Sequence, residues 1–225
     1  MQLHEFSDKK SLNVQLANRI KDNLQNALER NNQAFLAVSG GKSPIELFEI
    51  LSHMALDWDK ITIVLVDERC VDKTHTDSNE RLVKDYLLKQ NAKNASLIGL
   101  HHDPEDLKSL EAQIASLPPF DVVILGMGED GHTASLFPYS EELKIGLDEE
   151  AKSIVKTNPK SAPYQRISLT KKRLCNSHAI FLPLIGSKKQ AVFNKALLNT
   201  DPMIMPISAF LHNNHINMQV MYAPE

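Results

Sequence analysis

The chain is 225 residues long, with 42% hydrophobic and 24% charged residues, the balance of an ordinary globular protein. That length suits a single α/β domain over residues 1–225, able to bury a core without disulfides or metal. A formal net charge of −3 advertises no nucleic-acid partner, although a small phosphate needs only two or three local donors.

Over residues 11–30, Leu12, Leu16, Ile20, Leu24 and Leu28 recur between polar residues, the stripe of an amphipathic helix. Residues 31–33 turn the chain into an apolar run, 34–38, predicted as a buried strand that ends at Ser39-Gly40-Gly41. Pro44 fits the first turn of the next helix, whose apolar side is Ile45, Leu47, Phe48 and Leu51. Residues 61–66 (Ile-Thr-Ile-Val-Leu-Val) form the clearest strand and run straight into Asp67-Glu68-Arg69. Asp77-Ser78 offers an N-cap to a helix over 81–88. A short strand is expected at 97–100, and Pro104 opens a helix through Leu107, Leu110 and Ile114. Residues 121–125 form a third clear strand, ending in Gly126-Met127-Gly128-Glu129-Asp130-Gly131-His132. The second half is less regular: strands at 153–155, 166–169, 179–184 and 216–222, and a helix at 187–198. Strands alternating with helices predict an α/β fold around a mostly parallel sheet.

In such folds the ligand site gathers outside the carboxyl ends of the strands. If the strands over 34–38, 61–66 and 121–125 are parallel neighbours, their polar, glycine-containing or charged ends converge on one edge. The cysteines, Cys70 and Cys175, lack metal-ligand spacing and read as buried thiols, and His212 and His215 have no evident third ligand. No signal peptide or membrane-crossing apolar run is visible, so a cytoplasmic protein is expected.

Two glycine-rich segments invite a nucleotide reading, and both fail it. Gly41-Lys42-Ser43 resembles the end of a P-loop, but Leu36 stands where that motif needs its first glycine. What remains is either a tight turn or a phosphate loop at a helix N-terminus. Residues 126–131 have the spacing G-x-G-x-x-G, yet Glu129 and Asp130 put carboxylates where a pyrophosphate would lie. The same segment makes sense as a catalytic loop in which Asp130 orients His132, the side chain best suited to moving protons near neutral pH. Asp67-Glu68-Arg69 would ordinarily read as an exposed cluster, but its position at the end of a strongly buried strand argues for the site; Arg166 and Lys189 are candidate anion clamps, and His75 a candidate for the rim.

Taken together, residues 39–44, Asp67-Glu68-Arg69 with Asp77-Ser78-Asn79, residues 126–138, residues 166–170 and Gly186-Ser187-Lys188-Lys189 resemble the 6-phosphogluconolactonases, in family order and across most of the chain. Gly-Glu-Asp-Gly-His-Thr-Ala-Ser-Leu-Phe-Pro is the most specific of these segments. The resemblance implies a Rossmann-like three-layer α/β/α sandwich, shared with the glucosamine-6-phosphate deaminases. It further implies hydrolysis of 6-phospho-D-glucono-1,5-lactone, in the oxidative pentose phosphate pathway, without metal or organic cofactor. Carried over residue by residue, it has Ser39, Gly40, Gly41, Ser43, Arg166 and Lys189 hold the phosphate and His132 act as base beside Asp130. Lys42, Asp67, Arg69 and Gly128 join them as substrate-binding candidates, with Arg69 a candidate oxyanion donor. Ser43 replaces the family's usual threonine and Cys70 a common bulky aromatic. The deaminase branch resembles Gly-His-Ile-Ala-Phe-Asn-Glu-Pro at this place. Here Phe137 replaces that glutamate, and Arg69 the deaminases' tyrosine, so the means of moving a proton between carbons is missing. A sugar-phosphate sensor without turnover is the alternative from another class, but it would normally carry an appended DNA- or partner-binding segment. A monomer is expected, acting on a small sugar-phosphate lactone and engaging neither nucleic acid nor membrane.

Overall fold

In the computed structural model, which describes residues 1–100 and 107–225, the leucine stripe near the N-terminus becomes helix α1 (Lys9–Asn31). The Asp8 carboxylate caps it by accepting from Ser11 N at 2.7 Å, and Asn32 ends it in the left-handed region, with its N–H returned to the Leu28 carbonyl. Leu12, Leu16, Ile20 and Leu24 are fully buried. Each such side chain withdraws enough apolar surface from water to stabilise the fold by about 1.5–3 kcal/mol.

Ten strands form among the described residues: β1 (Gln2–Glu5), β2 (Ala34–Val38), β3 (Ile61–Leu65), β4 (Asp67–Arg69), β5 (Ser96–Ile98), β6 (Val122–Ile124), β7 (Ile154–Thr157), β8 (Arg166–Leu169), β9 (Ile180–Ile185) and β10 (Met218–Ala223). Seven build a sheet in the order β1-β10-β9-β6-β2-β3-β5, parallel at every pairing. Every residue of β2 is buried. Because alternate side chains of a strand face opposite sides, both faces of the sheet are covered. The other α-helices among the described residues are α2 (Ile45–Ser52), α3 (Asn79–Tyr86), α4 (Lys108–Ala115), α5 (Leu143–Leu147), α6 (Lys171–Cys175), α7 (Ser187–Leu198) and α8 (Ser208–Leu211).

The predicted strands at 34–38 and 166–169 and the helix at 187–198 agree to the residue, and the other predicted elements shift by a few residues at most. The helix expected from Pro104 runs from Lys108; Pro104 itself, with His101 and His102, lies outside the described residues. Two features differ from the sequence reading. Gln2–Glu5 adds an unexpected edge strand beside β10. More important for the site, β4, β8 and β7 leave the parallel sheet to form a small antiparallel one. Val66 is the crossover point, bonding to Val38 O on one side while accepting from Leu169 N on the other.

Candidate active site

The chain goes from β2 outward to β3 and β5, then returns to the other side of β2 as β6. That reversal is the topological switch point at which open α/β sheets leave a crevice. The convergence expected from sequence is therefore present: β6, β2 and β3 are adjacent and parallel, and the segments after Val38, Leu65 and Ile124 share one edge.

After β2, Ser39 is buried and its hydroxyl accepts from Gly126 N at 3.2 Å, tying the two loops together. A Cβ at Gly40 would overlap the Asn79 side chain, and Gly41 has φ +88°, a left-handed conformation that favours glycine. This turn delivers the chain to Pro44 at the head of α2, with Lys42 and Ser43 exposed. Lys189, in the first turn of α7, lines a narrow cleft with Ser43, Pro44 and Ile185 and donates Nζ to the Met127 carbonyl.

After β6 no helix starts until α5, so residues 126–131 lack the strand–turn–helix setting that a dinucleotide fingerprint requires. The loop instead folds around His132. Gly128 N donates to the His132 carbonyl, and Gly131, at φ +80°, reverses the chain. His132 Nδ1 lies 2.6 Å from Asp130 Oδ1, and His132 N donates to the same oxygen at 3.1 Å. Burial alone would push the Asp130 carboxyl up. The hydrogen bond and the charge of His132 outweigh that and hold it below its ordinary value. An ionised carboxylate only accepts, so Nδ1 is the donor, and in the neutral ring the lone pair is left on Nε2.

Gly128 keeps this pair in place by having no side chain: a Cβ there would overlap His132 Nδ1 and Asp130 Oδ1. Gly128→Ala is expected to displace the imidazole and lower kcat by about 10- to 100-fold, with KM little changed. Steady-state kinetics of the purified variant check this, and an unchanged kcat would show that the loop absorbs the methyl group.

Beyond His132, Thr133 Oγ1 donates to the Gly126 carbonyl, Ser135 N donates to Ser168 Oγ, and Ser135 Oγ donates to Asp67. Asp67 is thus buried and central, receiving Ser135, approaching Arg166 at 3.9 Å and held by Asn79, whose amide donates to its carbonyl. Glu68 has a different task. Its carboxylate accepts from Arg69 N, Asn79 N, Glu80 N and Ser78 Oγ at the start of α3; burial raises its pKa while these bonds oppose the rise.

The small sheet brings in the arginines. Arg69 and Arg166 are register partners across β4 and β8, so their side chains leave the same face. Arg69 reaches the Asp77 carbonyl, and Tyr164 Oη donates to the Asp77 carboxylate at 3.0 Å while meeting His75 edge-on. These contacts place His75, a candidate for the rim, beside Tyr164 and the Arg69–Asp77 contact. Arg166 is buried; burial lowers its pKa, Asp67 opposes that, and Arg69 adds to it. Phe137 lies between the two halves of the site. Its ring stacks on His132 at 4.2 Å between centroids, and the Arg166 guanidinium sits 5.1 Å from the same ring.

The structure therefore brings Gly128, Asp130 and His132 into contact, joins Arg166 and Asp67 to them through Phe137 and Ser135, and sets Ser43 and Lys189 on one cleft. Sequence reasoning gave no role to Thr133, Ser135, Asn79 or Ser168. Buried hydroxyls and amides inside the already noted segments were the available signal. Among the described residues no three His, Cys, Asp or Glu side chains cluster as metal ligands would, and no helix is long and apolar enough to cross a membrane.

Comparison with known proteins matches residues 7–220 to the family model described as glucosamine-6-phosphate isomerases/6-phosphogluconolactonase. A relative from Helicobacter pylori named 6-phosphogluconolactonase is 41% identical, covering 99% of this chain and 98% of its own. One of the same name from Pseudomonas putida is 39% identical, over 95% of this chain and 90% of its own. The crystal structure of a 6-phosphogluconolactonase from Shewanella baltica superposes with a TM-score of 0.95 at 39% identity, covering 100% of this chain and 98% of that one. With the sheet order and the His132 loop already in place, the chain belongs to the glucosamine-6-phosphate isomerase/6-phosphogluconolactonase family.

Proposed function

We propose that this protein hydrolyses 6-phospho-D-glucono-1,5-lactone to 6-phospho-D-gluconate, the lactonase step of the oxidative pentose phosphate pathway. The observation that carries the reading is the His132–Asp130 pair stacked on Phe137: a base oriented by a carboxylate, beside a ring that cannot transfer protons. Ring opening and isomerisation of an amino sugar need a further proton shuttle at that place. Lactone hydrolysis needs a base, a water and a home for the oxyanion.

In this reading the phosphate is held by residues 39–43, including Ser39, Gly40, Gly41, Lys42 and Ser43, together with Arg166 and Lys189. Asp67, Arg69 and Gly128 shape the remainder of the pocket. Binding energy from the remote phosphate holds C1 near His132. Neutral His132 takes a proton from water at Nε2 as the water oxygen bonds to C1. The carbonyl electron pair moves onto oxygen, where backbone N–H groups or Arg69 stabilise it. As the carbonyl reforms, the bond from C1 to the ring oxygen breaks, and His132 returns its proton to that oxygen. A monomer acting in the cytoplasm completes the reading.

The test is lactone consumption with freshly generated substrate, corrected for spontaneous opening, beside glucosamine-6-phosphate. Turnover of the lactone alone is expected. Ammonia release from the amino sugar would transfer the protein to the deaminase branch, and binding of either compound without turnover would make it a sensor.

A further inference from the structure

Phe137 distinguishes the lactonase reading from the deaminase one by being chemically inert, but its placement indicates an active role. It is 3% exposed, yet its two closest functional neighbours are both charged or chargeable. The imidazole of His132 lies over the ring at 4.2 Å with an interplanar angle of 24°, and the Arg166 guanidinium lies 5.1 Å from the ring centroid.

Neither neighbour is fixed by its polar bonds alone. The Asp130 bond holds the His132 ring at one edge, Nδ1, and no polar bond among the described residues holds the Nε2 edge against a residual roll about χ2. A flat aromatic face beneath it removes the roll and sets where Nε2 points. Arg166 is held still more loosely: 3.9 Å from Asp67, 3.3 Å from the Pro163 carbonyl, and with a buried Nε that bonds to nothing among the described residues. A guanidinium so poorly tied takes its orientation from the surface it rests on, and an electron-rich ring face suits a cation.

We infer that Phe137 is a positioning residue that seats both halves of the site, fixing the plane of His132 for proton transfer and the guanidinium of Arg166 for the phosphate. Its backbone is held independently of these contacts: the preceding turn, with Ala134 at φ +50°, is closed by Leu136 N donating to the Thr133 carbonyl and anchored by Ser135 on Asp67 and Ser168. A change at the ring therefore alters its two neighbours before it alters the loop.

The inference rests on the roles proposed for His132 and Arg166, and its test separates the two levels. Phe137→Leu keeps an apolar side chain and removes the flat face. Displacing two positioned groups should lower kcat about tenfold and raise KM for the phosphorylated lactone about fivefold. In an Arg166→Met background the KM increase should vanish, because the group that Phe137 seats is gone. Independently of activity, the His132 ring proton signals, identified by their loss in His132→Ala, should move downfield once the shielding phenyl face is removed. Phe137→Met serves the same comparisons if the leucine variant does not fold. A folded variant with unchanged kcat and KM, unmoved His132 signals, or a KM increase that persists in full without Arg166 would overturn the inference. Wild-type kcat in His132→Ala, or wild-type KM in Arg166→Met, would instead overturn the roles on which it rests.

Discussion

His132→Ala is expected to lower kcat by about 10²- to 10⁴-fold, the range lost when a positioned general base is removed. At about 1.4 kcal/mol per tenfold, that is roughly 3–5.5 kcal/mol of transition-state stabilisation. KM should change little, because the groups proposed to hold the phosphate lie on other loops. The side chain is well placed for this role: Nδ1 is committed to Asp130 at 2.6 Å, Gly128 leaves room for the pair, and Nε2 is bonded to no described residue. Removing it also uncovers one face of Phe137, so thermal unfolding of the variant should accompany the kinetics. Turnover at the wild-type rate, after correction for spontaneous opening of the lactone, would remove His132 from the chemistry. A matching fall in Asp130→Ala without a change in KM would be consistent with a shared task, since effects of groups acting as a unit do not add.

What could be read from sequence was whatever short segments encode locally. β2 and α7 were legible to the residue because a continuous apolar run and an amphipathic stretch each end at glycine or polar residues. The His132–Asp130 pair was legible for the same reason: two residues apart on a glycine-rich loop, they can meet without help from the rest of the fold. β1 was not legible. Gln2–Glu5 has one apolar residue, Leu3, itself 47% exposed, and the strand exists through backbone pairing with β10, more than two hundred residues away. β4 was illegible in another way. The strand-end position of Asp67-Glu68-Arg69 pointed to the site, but the partners that satisfy its carboxylates, Ser135, Ser78 and the N–H groups at the start of α3, are supplied only by the fold. The antiparallel pairing of β4 with β8 also decides which residues meet Arg166. No local pattern predicts that Arg166, Asp67 and Phe137 form one cluster.

That cluster makes Arg166 the source of the second large effect. Arg166→Ala should raise KM for the phosphorylated lactone by about 10- to 100-fold. A hydrogen bond to a charged group is worth roughly 1.5–3 kcal/mol, and each tenfold in affinity corresponds to about 1.4 kcal/mol. The local electrostatics favour an anion. Arg166 is buried and faces Arg69 across the β4–β8 pair, with Asp67 3.9 Å away and already accepting from Ser135. Burial disfavours the Arg166 charge, Asp67 supports it and Arg69 opposes it, and a doubly negative phosphate would add to that support. Arg166→Met is the companion variant, because it keeps most of the buried stem and removes only the charge and the donors. Both variants should leave turnover of unphosphorylated glucono-1,5-lactone close to that of the wild type, since that substrate has no group for Arg166 to hold. Equal damage with both lactones would mean that Arg166 acts on the reacting carbon, and an unchanged KM in both variants would remove it from the phosphate site.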